Sequence, residues 1–220
     1  MSTLTLRETR IVETNLNGIY VTDGERLFFM TAEQDNMPIN PREDFNNCTI
    51  CYVRNRYLGS SKYDNDMDFA DSDDLNDYLA GLKDRGTEFV SVPLYAYVHS
   101  GITISTGSFD DPWDSGCFGV AICTKEQVVE AFGNDTDWQQ HAEDIIEGEI
   151  ETYDKFLTGE TYIYSSYSYD KVTKEWTLDD TCDGFYSNDK DEMFSSYFGN
   201  NYRLIDESEA KHYLCATIIK

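Results

Sequence analysis

Basic residues are scarce in this chain. Lysine and arginine number 17 against 42 aspartates and glutamates, which gives a net charge of −25 over 220 residues. Contacts to phosphate need lysine and arginine, so direct nucleic-acid binding is disfavoured. Such a charge belongs to a protein of a high-salt environment or to one that uses it on a partner. The many large aromatic, isoleucine and leucine residues and the uneven spread of acid count against a halophilic origin.

Long apolar runs are also missing. No segment reaches the roughly 18 apolar residues that span a bilayer. The N-terminal segment 1–15 lacks the apolar centre of a secretory signal and is expected to be flexible. The six cysteines are therefore interpreted as reduced thiols rather than a disulfide framework. Together these absences predict a cytoplasmic protein without membrane contact.

Motifs that hold metals or cofactors are equally rare. Cys48-x-x-Cys51 has no second Cys-x-x-Cys and lies in a predicted strand, where the two side chains do not share a face. The chain has no glycine-rich phosphate or dinucleotide fingerprint and no His-Glu-x-x-His motif. We therefore predict core thiols, no metal and no cofactor.

The pattern of apolar residues predicts an α+β fold. Alternation around Asp23-Gly24 predicts a hairpin over 16–31, and Thr124 with Gln127 forms a capping box for a helix over 125–132. Further strands are predicted at 48–53, 88–98, 101–106, 117–123, 160–169, around Trp176 and at 213–219. Further helices are predicted over 136–157, over 189–198 and in a short segment ending near Gly86. Without regular alternation, this favours a single domain over 1–220: a mostly antiparallel sheet packed by one long amphipathic helix and two or three short ones.

The long predicted helix separates apolar from acidic residues. At 100° per residue, one continuous arc collects Trp138, Ala142, Ile145, Ile146, Ile150, Tyr153, Phe156 and Leu157, and it should pack on the sheet. The opposite arc carries Glu143, Glu147, Glu151 and Asp154, spaced so that neighbours stand roughly 6 Å apart. A solvated helix face is the simple explanation of this row.

A second acidic segment supports a functional explanation of the row. The segment 64–77 is predicted to be a surface loop that caps the short helix, and it adds Asp64, Asp66, Asp68, Asp71, Asp73 and Asp74. Rows of carboxylates at helical spacing resemble a phosphate backbone in charge density. Such a face could dock into a basic groove built for DNA or RNA. We therefore treat these ten residues as a candidate partner-binding acidic face.

Two local features leave alternatives open. Glu149 points along the apolar arc, so its carboxylate must be paired, hydrogen-bonded or protonated. It could form a hydrogen bond to a tyrosine or a backbone amide, or it could be an acid in a pocket. The loop 99–119 could be a structural connection in which Trp113 enters the core and Asp114 and Ser115 bond backbone amides. It could also be a binding surface, or a catalytic site drawing on His99, Asp114, Glu149 and Cys182.

The loop also carries a recognisable motif. The run from Leu94 to Val128, with His-Ser-Gly-Ile-Thr-x-Ser followed by Pro-Trp-Asp-Ser-Gly-x-x-Gly, resembles the signature of a family of bacteriophage and mobile-element proteins without an established activity. Segments 41–44, 54–60, 149–164 and 182–186 extend the resemblance over about residues 38–190. The matching motif residues are His99, Ser100, Gly101, Thr103, Ser105, Pro112, Trp113, Asp114, Ser115, Gly116 and Gly119.

The sequence departs from that signature at two points. Asp110-Asp111 add charge beside the loop, and Asp183 replaces the usual aromatic residue before the Gly-Phe-Tyr motif, which weakens a catalytic role for Cys182. The resemblance implies an accessory phage protein that acts on host machinery in the host cytoplasm. Our leading hypothesis is a non-enzymatic inhibitor of a host nucleic-acid-processing or defence complex, of the anti-CRISPR or antirestriction kind, that mimics nucleic acid. The alternative is a small enzyme acting on a nucleotide or small molecule through the His99/Asp114 loop.

Overall fold

The computed structural model describes residues 4–5, 17–43, 46–53, 66–133 and 136–215. In chain order its first strands and helices are β1 (Leu4–Thr5), β2 (Asn17–Thr22), β3 (Leu27–Gln34), a 3-10 turn (Pro41–Glu43), β4 (Thr49–Val53), β5 (Met67–Phe69), α1 (Ser72–Asp84), β6 (Phe89–Val98) and β7 (Ile102–Ser105). There follow β8 (Ser115–Thr124), α2 (Lys125–Phe132), α3 (Trp138–Thr158), β9 (Tyr162–Asp170), β10 (Glu175–Phe185), α4 (Lys190–Tyr197), β11 (Arg203–Ile205) and α5 (Glu207–Cys215). The predicted α+β class is confirmed.

Contacts within the chain divide it into two compact units. The central unit is Ile39–Thr158, and the terminal unit combines Met1–Pro38 with Gly159–Lys220. Each unit has a sheet of its own. The expected flexibility of residues 1–15 concerns a segment that, apart from Leu4–Thr5, lies outside the described residues.

The terminal unit contains a six-stranded antiparallel sheet in the order β1-β10-β9-β3-β2-β11. β2 and β3 form the predicted hairpin, but the loop spans four residues, since Thr22 pairs with Leu27. Asp23 orders that loop because its Oδ1 accepts the amides of Glu25 and Arg26. Side chains on the two sheet faces form two separate apolar clusters. One includes Met193 of α4, and the other includes Trp176 of β10 and Ala210 of α5.

The central unit contains a five-stranded sheet in the order β5-β4-β8-β6-β7, antiparallel except for β4–β5. Strand residues alternate between its faces. One face, including Ile50, Leu94 and Ala121, packs against the apolar arc of α3. The other face, including Cys51 and Ile122, packs against Leu75 and Leu82 of α1. α1 and α3 therefore cover opposite faces of this sheet.

The helix ends follow the sequence closely. Asp71 caps α1 by accepting the amides of Asp73 and Asp74, as the acidic segment predicts. The capping box of Thr124 and Gln127 begins α2, and Gly133 ends it with φ 81°. α3 buries the predicted arc, with Ala142, Ile146 and Ile150 almost fully enclosed.

Two predicted segments are wrong. The segment 64–77 is not a loop throughout, since it contains β5 and the first residues of α1. The second is the C-terminal strand. Residues 213–215 belong to the end of α5 rather than to a strand over 213–219, whose remaining residues lie outside the described part of the chain. Asp206 explains the difference, because its Oδ1 accepts the amide of Glu209 at 2.8 Å and so begins a helix. Within the described residues, no helix combines the length and the apolar character that a membrane crossing requires.

Candidate functional site

The outward face of α3 carries an exposed row of carboxylates, which we call the acidic row: Glu143, Glu147 and Glu151. Neither Glu143 nor Glu147 has a cation partner among the described residues. Glu151 pairs with Lys155 at 2.8 Å, one turn further along the helix. Like charges one turn apart cost a few tenths of a kcal/mol each, so the row is tolerated rather than stabilising.

Two residues of the predicted acidic face are not available to a partner. The Asp66 side chain is 1% exposed and is bound by Arg42, the Ile50 amide and the Tyr52 hydroxyl. Asp154 is half-buried, and its Oδ1 accepts the Ile104 amide at 2.7 Å. Because β7 is an edge strand, this amide has no partner strand, and Asp154 satisfies it.

The remaining acids of segment 64–77 do not extend the acidic row. Asp71, Asp73 and Asp74 lie at the N-terminus of α1, where carboxylates interact favourably with the helix dipole. α1 packs on the sheet face opposite to α3, so the predicted single acidic face is two surfaces. Asp68 is exposed on β5, and Asp64 lies outside the described residues.

Strand register brings His99 and Asp114 together. β6 pairs with β8 through Tyr97 and Ser115, and the Val98 amide donates to the Asp114 carbonyl at 2.8 Å. The next side chains along, His99 and Asp114, meet with Nδ1 3.1 Å from Oδ2. Their side chains are 68% and 42% exposed, so this pair lies on an open surface.

An aspartate that the motif does not include orders the rest of the loop. Asp111 Oδ1 accepts the amides of Trp113 and Asp114, and the Ser115 hydroxyl donates to the Asp111 carbonyl. The hydrogen bonds from these backbone amides hold the pKa of Asp111 below its ordinary value. The prediction that Asp114 and Ser115 bind backbone amides is therefore wrong, since Asp111 does so.

Trp113 corrects the structural explanation of this loop. Its side chain is 91% exposed, so it does not anchor the loop in the core. At the end of β6, the ring of Tyr97 stacks on His99 with centroids 6.2 Å apart and contacts Phe109 with centroids 5.9 Å apart. An ordered loop that presents a tryptophan to solvent is typical of a binding surface.

The motif glycines have different physical roles. A Cβ on Gly119 would overlap the carbonyl oxygen of Cys51, because β4 and β8 approach closely there. Added carbons on Gly101 and Gly116 would meet open space. Ser100, with φ 57°, adopts the left-handed conformation at the tight turn between β6 and β7. Gly119 is thus required by packing, whereas the other two are not.

The four residues of the catalytic alternative do not share partners. Glu149 is bound to Arg42 and to the amides of Asn47 and Cys48, rather than to the His99–Asp114 pair. Cys182 belongs to β10 of the terminal unit, where its thiol is exposed and donates to the Asp183 carbonyl. Only His99 and Asp114 are joined by a described contact.

A buried arginine organises a network that the sequence did not predict. Arg42, with a side chain 1% exposed, lies 2.6 Å from Asp66 Oδ1 and 2.8 Å from Glu149 Oε2. It also donates to Asn46 and to the Cys48 carbonyl. Burial acts to lower the pKa of Arg42, but hydrogen bonding to Asp66 and the nearby negative groups outweigh it, so the pKa is raised.

The network joins two segments that are distant in the sequence. Arg42 comes from segment 41–44 and Glu149 from segment 149–164, and the two residues are partners. The prediction that Glu149 is bonded to a backbone amide is confirmed, with Arg42 as a further partner. One signal could have identified Arg42: an arginine between Pro41 and Glu43 in a chain so poor in cations.

The Cys-x-x-Cys segment is structural. Cys48 and Cys51 are fully buried and belong to clusters on opposite faces of the sheet. Desolvation by burial raises the pKa of Cys51 to about 12. In the described part of the chain, no group of three or more His, Cys, Asp or Glu side chains is placed to hold a metal ion.

The chain matches no protein-family model, no curated protein and no solved structure. Its fold and contacts describe an acidic α+β protein with an exposed motif loop, an acidic row and a buried arginine network.

Proposed function

We propose that this protein is a non-enzymatic inhibitor that occupies the basic nucleic-acid groove of a host nucleic-acid-processing or defence complex. The observation that carries the proposal is the acidic row of α3, an exposed line of carboxylates on a rigid helix. Phosphate-binding grooves present lysine and arginine along a line, and a helix with carboxylates about 6 Å apart offers them matching charges. The inhibitor would need no nucleic acid of its own.

The distribution of charge supports this assignment. The central unit holds 24 acidic and 8 basic residues, net −16, whereas the terminal unit holds 18 and 9, net −9. Among the described cations of the central unit, Arg42, Lys125 and Lys155 already pair with carboxylates. The negative potential is therefore strongest on the unit that carries the acidic row, where it would steer a basic partner.

Variants that replace glutamate with the uncharged glutamine test the proposal. The variant E143Q/E147Q/E151Q keeps the shape of α3 and removes three charges from the acidic row. The matched control E25Q/E33Q/E160Q removes three exposed charges from the terminal unit. We expect the first variant to lose most inhibition of DNA cleavage by restriction enzymes and CRISPR effectors, and the control to keep it. Wild-type inhibition should also fall steeply between about 50 and about 300 mM salt. Full potency of the row variant would reject the proposal.

A second function has one observation in its favour. His99 and Asp114 form a 3.1 Å pair of the kind that orients a catalytic base. The pair is open to solvent, and the neighbouring Ser100 hydroxyl donates to the His99 carbonyl rather than to the imidazole ring. Turnover of a nucleotide or small molecule that disappears in H99N would establish this function. If H99N shows the same inhibition as the wild type, the His99–Asp114 pair is a structural feature of the loop.

A further inference from the structure

A cleft of about 400 Å³ opens beside α3 in the central unit. One wall is α3 itself, and the other includes Pro41, Asn46 and Asn47. Its polar lining comprises Asn46, Asn47, Asp144, Glu149 and Thr152, and Gly148 forms part of the helical wall. The described lining residues include no lysine or arginine.

Carboxylates outnumber cations around this cleft. Asp144 and Glu149 line it, and Asp66 lies behind them on the same guanidinium group as Glu149. Among the described residues, Arg42 is the cation bonded to Asp66 and Glu149, so these two carboxylates share one positive charge. Asp144 is exposed and adds a further negative charge to the cleft lining, so the cleft attracts a second cation.

Glu149 retains capacity for another donor. Its Oε2 accepts hydrogen bonds from Arg42 and the Cys48 amide, and Oε1 accepts the Asn47 amide at 2.6 Å. A carboxylate offers about four lone-pair positions. The Glu149 side chain is 19% exposed, so a donor can reach it through the cleft.

The helical wall leaves room for a ligand at Gly148. A Cβ placed there would have no heavy atom within 4 Å. Glycine is less favourable than alanine in a helix interior. The space that it leaves lies one turn from both Asp144 and Thr152 on the same side of α3.

We infer that this cleft binds a guanidinium group, and, on the basis of the proposed function, that an arginine side chain of the basic partner supplies it. The planar guanidinium carries five donors, which suits the carboxylates of Asp144 and Glu149 and the carboxamide of Asn47. Asp144, Glu147 and Glu151 follow each other at helical spacing, so the cleft borders the acidic row. A partner lying along the row would place an arginine at the cleft.

Methylguanidinium tests the cleft without any partner protein. We expect saturable changes in the amide NMR signals of Asn46, Asn47 and Gly148 in the full-length protein. Urea, a neutral molecule of nearly the same shape, should produce none of them. The variant G148L fills the cleft and improves helix propensity, and it should abolish binding. The variant D144N, which keeps an oxygen to accept the bond from Gln140, should weaken binding about fivefold.

An (Arg-Gly)₄ peptide distinguishes a free cation from a side chain of a partner. Loss of peptide binding in both G148L and the acidic-row variant would support the inference. G148L could lose methylguanidinium binding and yet bind the peptide with the affinity of the wild type. In that case the cleft binds free cations, and its proposed role in binding a partner is overturned. Equal responses to urea, or methylguanidinium binding that survives G148L, would overturn the site itself. The proposed function fails separately, through full inhibition by E143Q/E147Q/E151Q.

Discussion

Arg42 and Glu149 are 107 residues apart in the sequence, and their side chains form an ion pair of 2.8 Å. The pair ties the segment before β4 to the middle of α3. Five residues further along α3, Asp154 binds the edge strand β7. The two carboxylates flank the apolar arc, so α3 is held to both sides of the sheet that it covers.

Removing the buried guanidinium should strongly destabilise the protein. In R42M, the Asp66 and Glu149 carboxylates lose their cation partner in a buried environment, and we expect a loss of about 3–5 kcal/mol in the free energy of unfolding. Urea denaturation measures the change. The control R26M breaks the pair of the exposed Arg26 with Asp23, which should change the urea midpoint far less than R42M does. Equal losses in the two variants would contradict this account of the network.

A single methyl group at position 119 should disrupt the contact between β4 and β8. In G119A the Cβ overlaps the Cys51 carbonyl, and a shift of the strands should cost about 1–3 kcal/mol. In G116A, on the same strand, the methyl group meets open space, so the cost should stay within about 0.5 kcal/mol. Thermal unfolding of both variants decides the point, and a G119A variant as stable as G116A would refute the explanation of this motif glycine.

Trp113 should behave as a solvent-exposed residue. The chain has three tryptophans, and Trp138 and Trp176 are buried, with exposures of 7% and 1%. Acrylamide should therefore quench one fraction of the fluorescence readily, and W113F should lose that fraction. Because Trp113 lies outside the core, the substitution should change the unfolding free energy by less than about 0.5 kcal/mol. A large loss of stability would restore the interpretation of Trp113 as an anchor.

Stability should decline at alkaline pH. Burial raises the pKa of Cys51 to about 12, of Cys123 to about 11 and of Tyr164 to about 12. The unfolded chain releases these protons first, beginning near the ordinary thiol value of 9.0, while the folded chain retains them. Protein stability is thus unaffected by these groups below pH 9 and falls as pH rises towards their folded values. Urea midpoints under reducing conditions should show this decline, and C51A should show a shallower one.

Local signals predicted most elements, whereas contacts between distant segments were not predictable. The arc of α3 and the cap at Thr124 depend on residues within a few positions of each other, and both are confirmed. The division into two sheets depends on which strands pair, and β3 with β9 joins residues more than 120 positions apart. The strand predicted at 213–219 depended on its strand-forming residues, whereas the local signal of a helix start, the cap at Asp206, precedes them.

The candidate site divides in the same way. Helical spacing identified the acidic row. The sequence could not show that Asp66 forms an ion pair with Arg42, or that Asp154 accepts a hydrogen bond from the Ile104 amide. The motif pointed to His99 and Asp114, and sheet register explains why they meet. No spacing rule connects Arg42 to Glu149, because that contact depends on how α3 lies on the sheet.

The terminal unit is built from both ends of the chain, and this has a consequence for synthesis. Every strand of the five-stranded sheet precedes Thr158, so a ribosome delivers that sheet complete. At the same moment β3 still lacks its partner strand β9, and the cluster of Phe28 and Met30 lacks Met193 of α4. A nascent chain stalled near this point would expose an unpaired apolar edge, which makes it a natural substrate for chaperones.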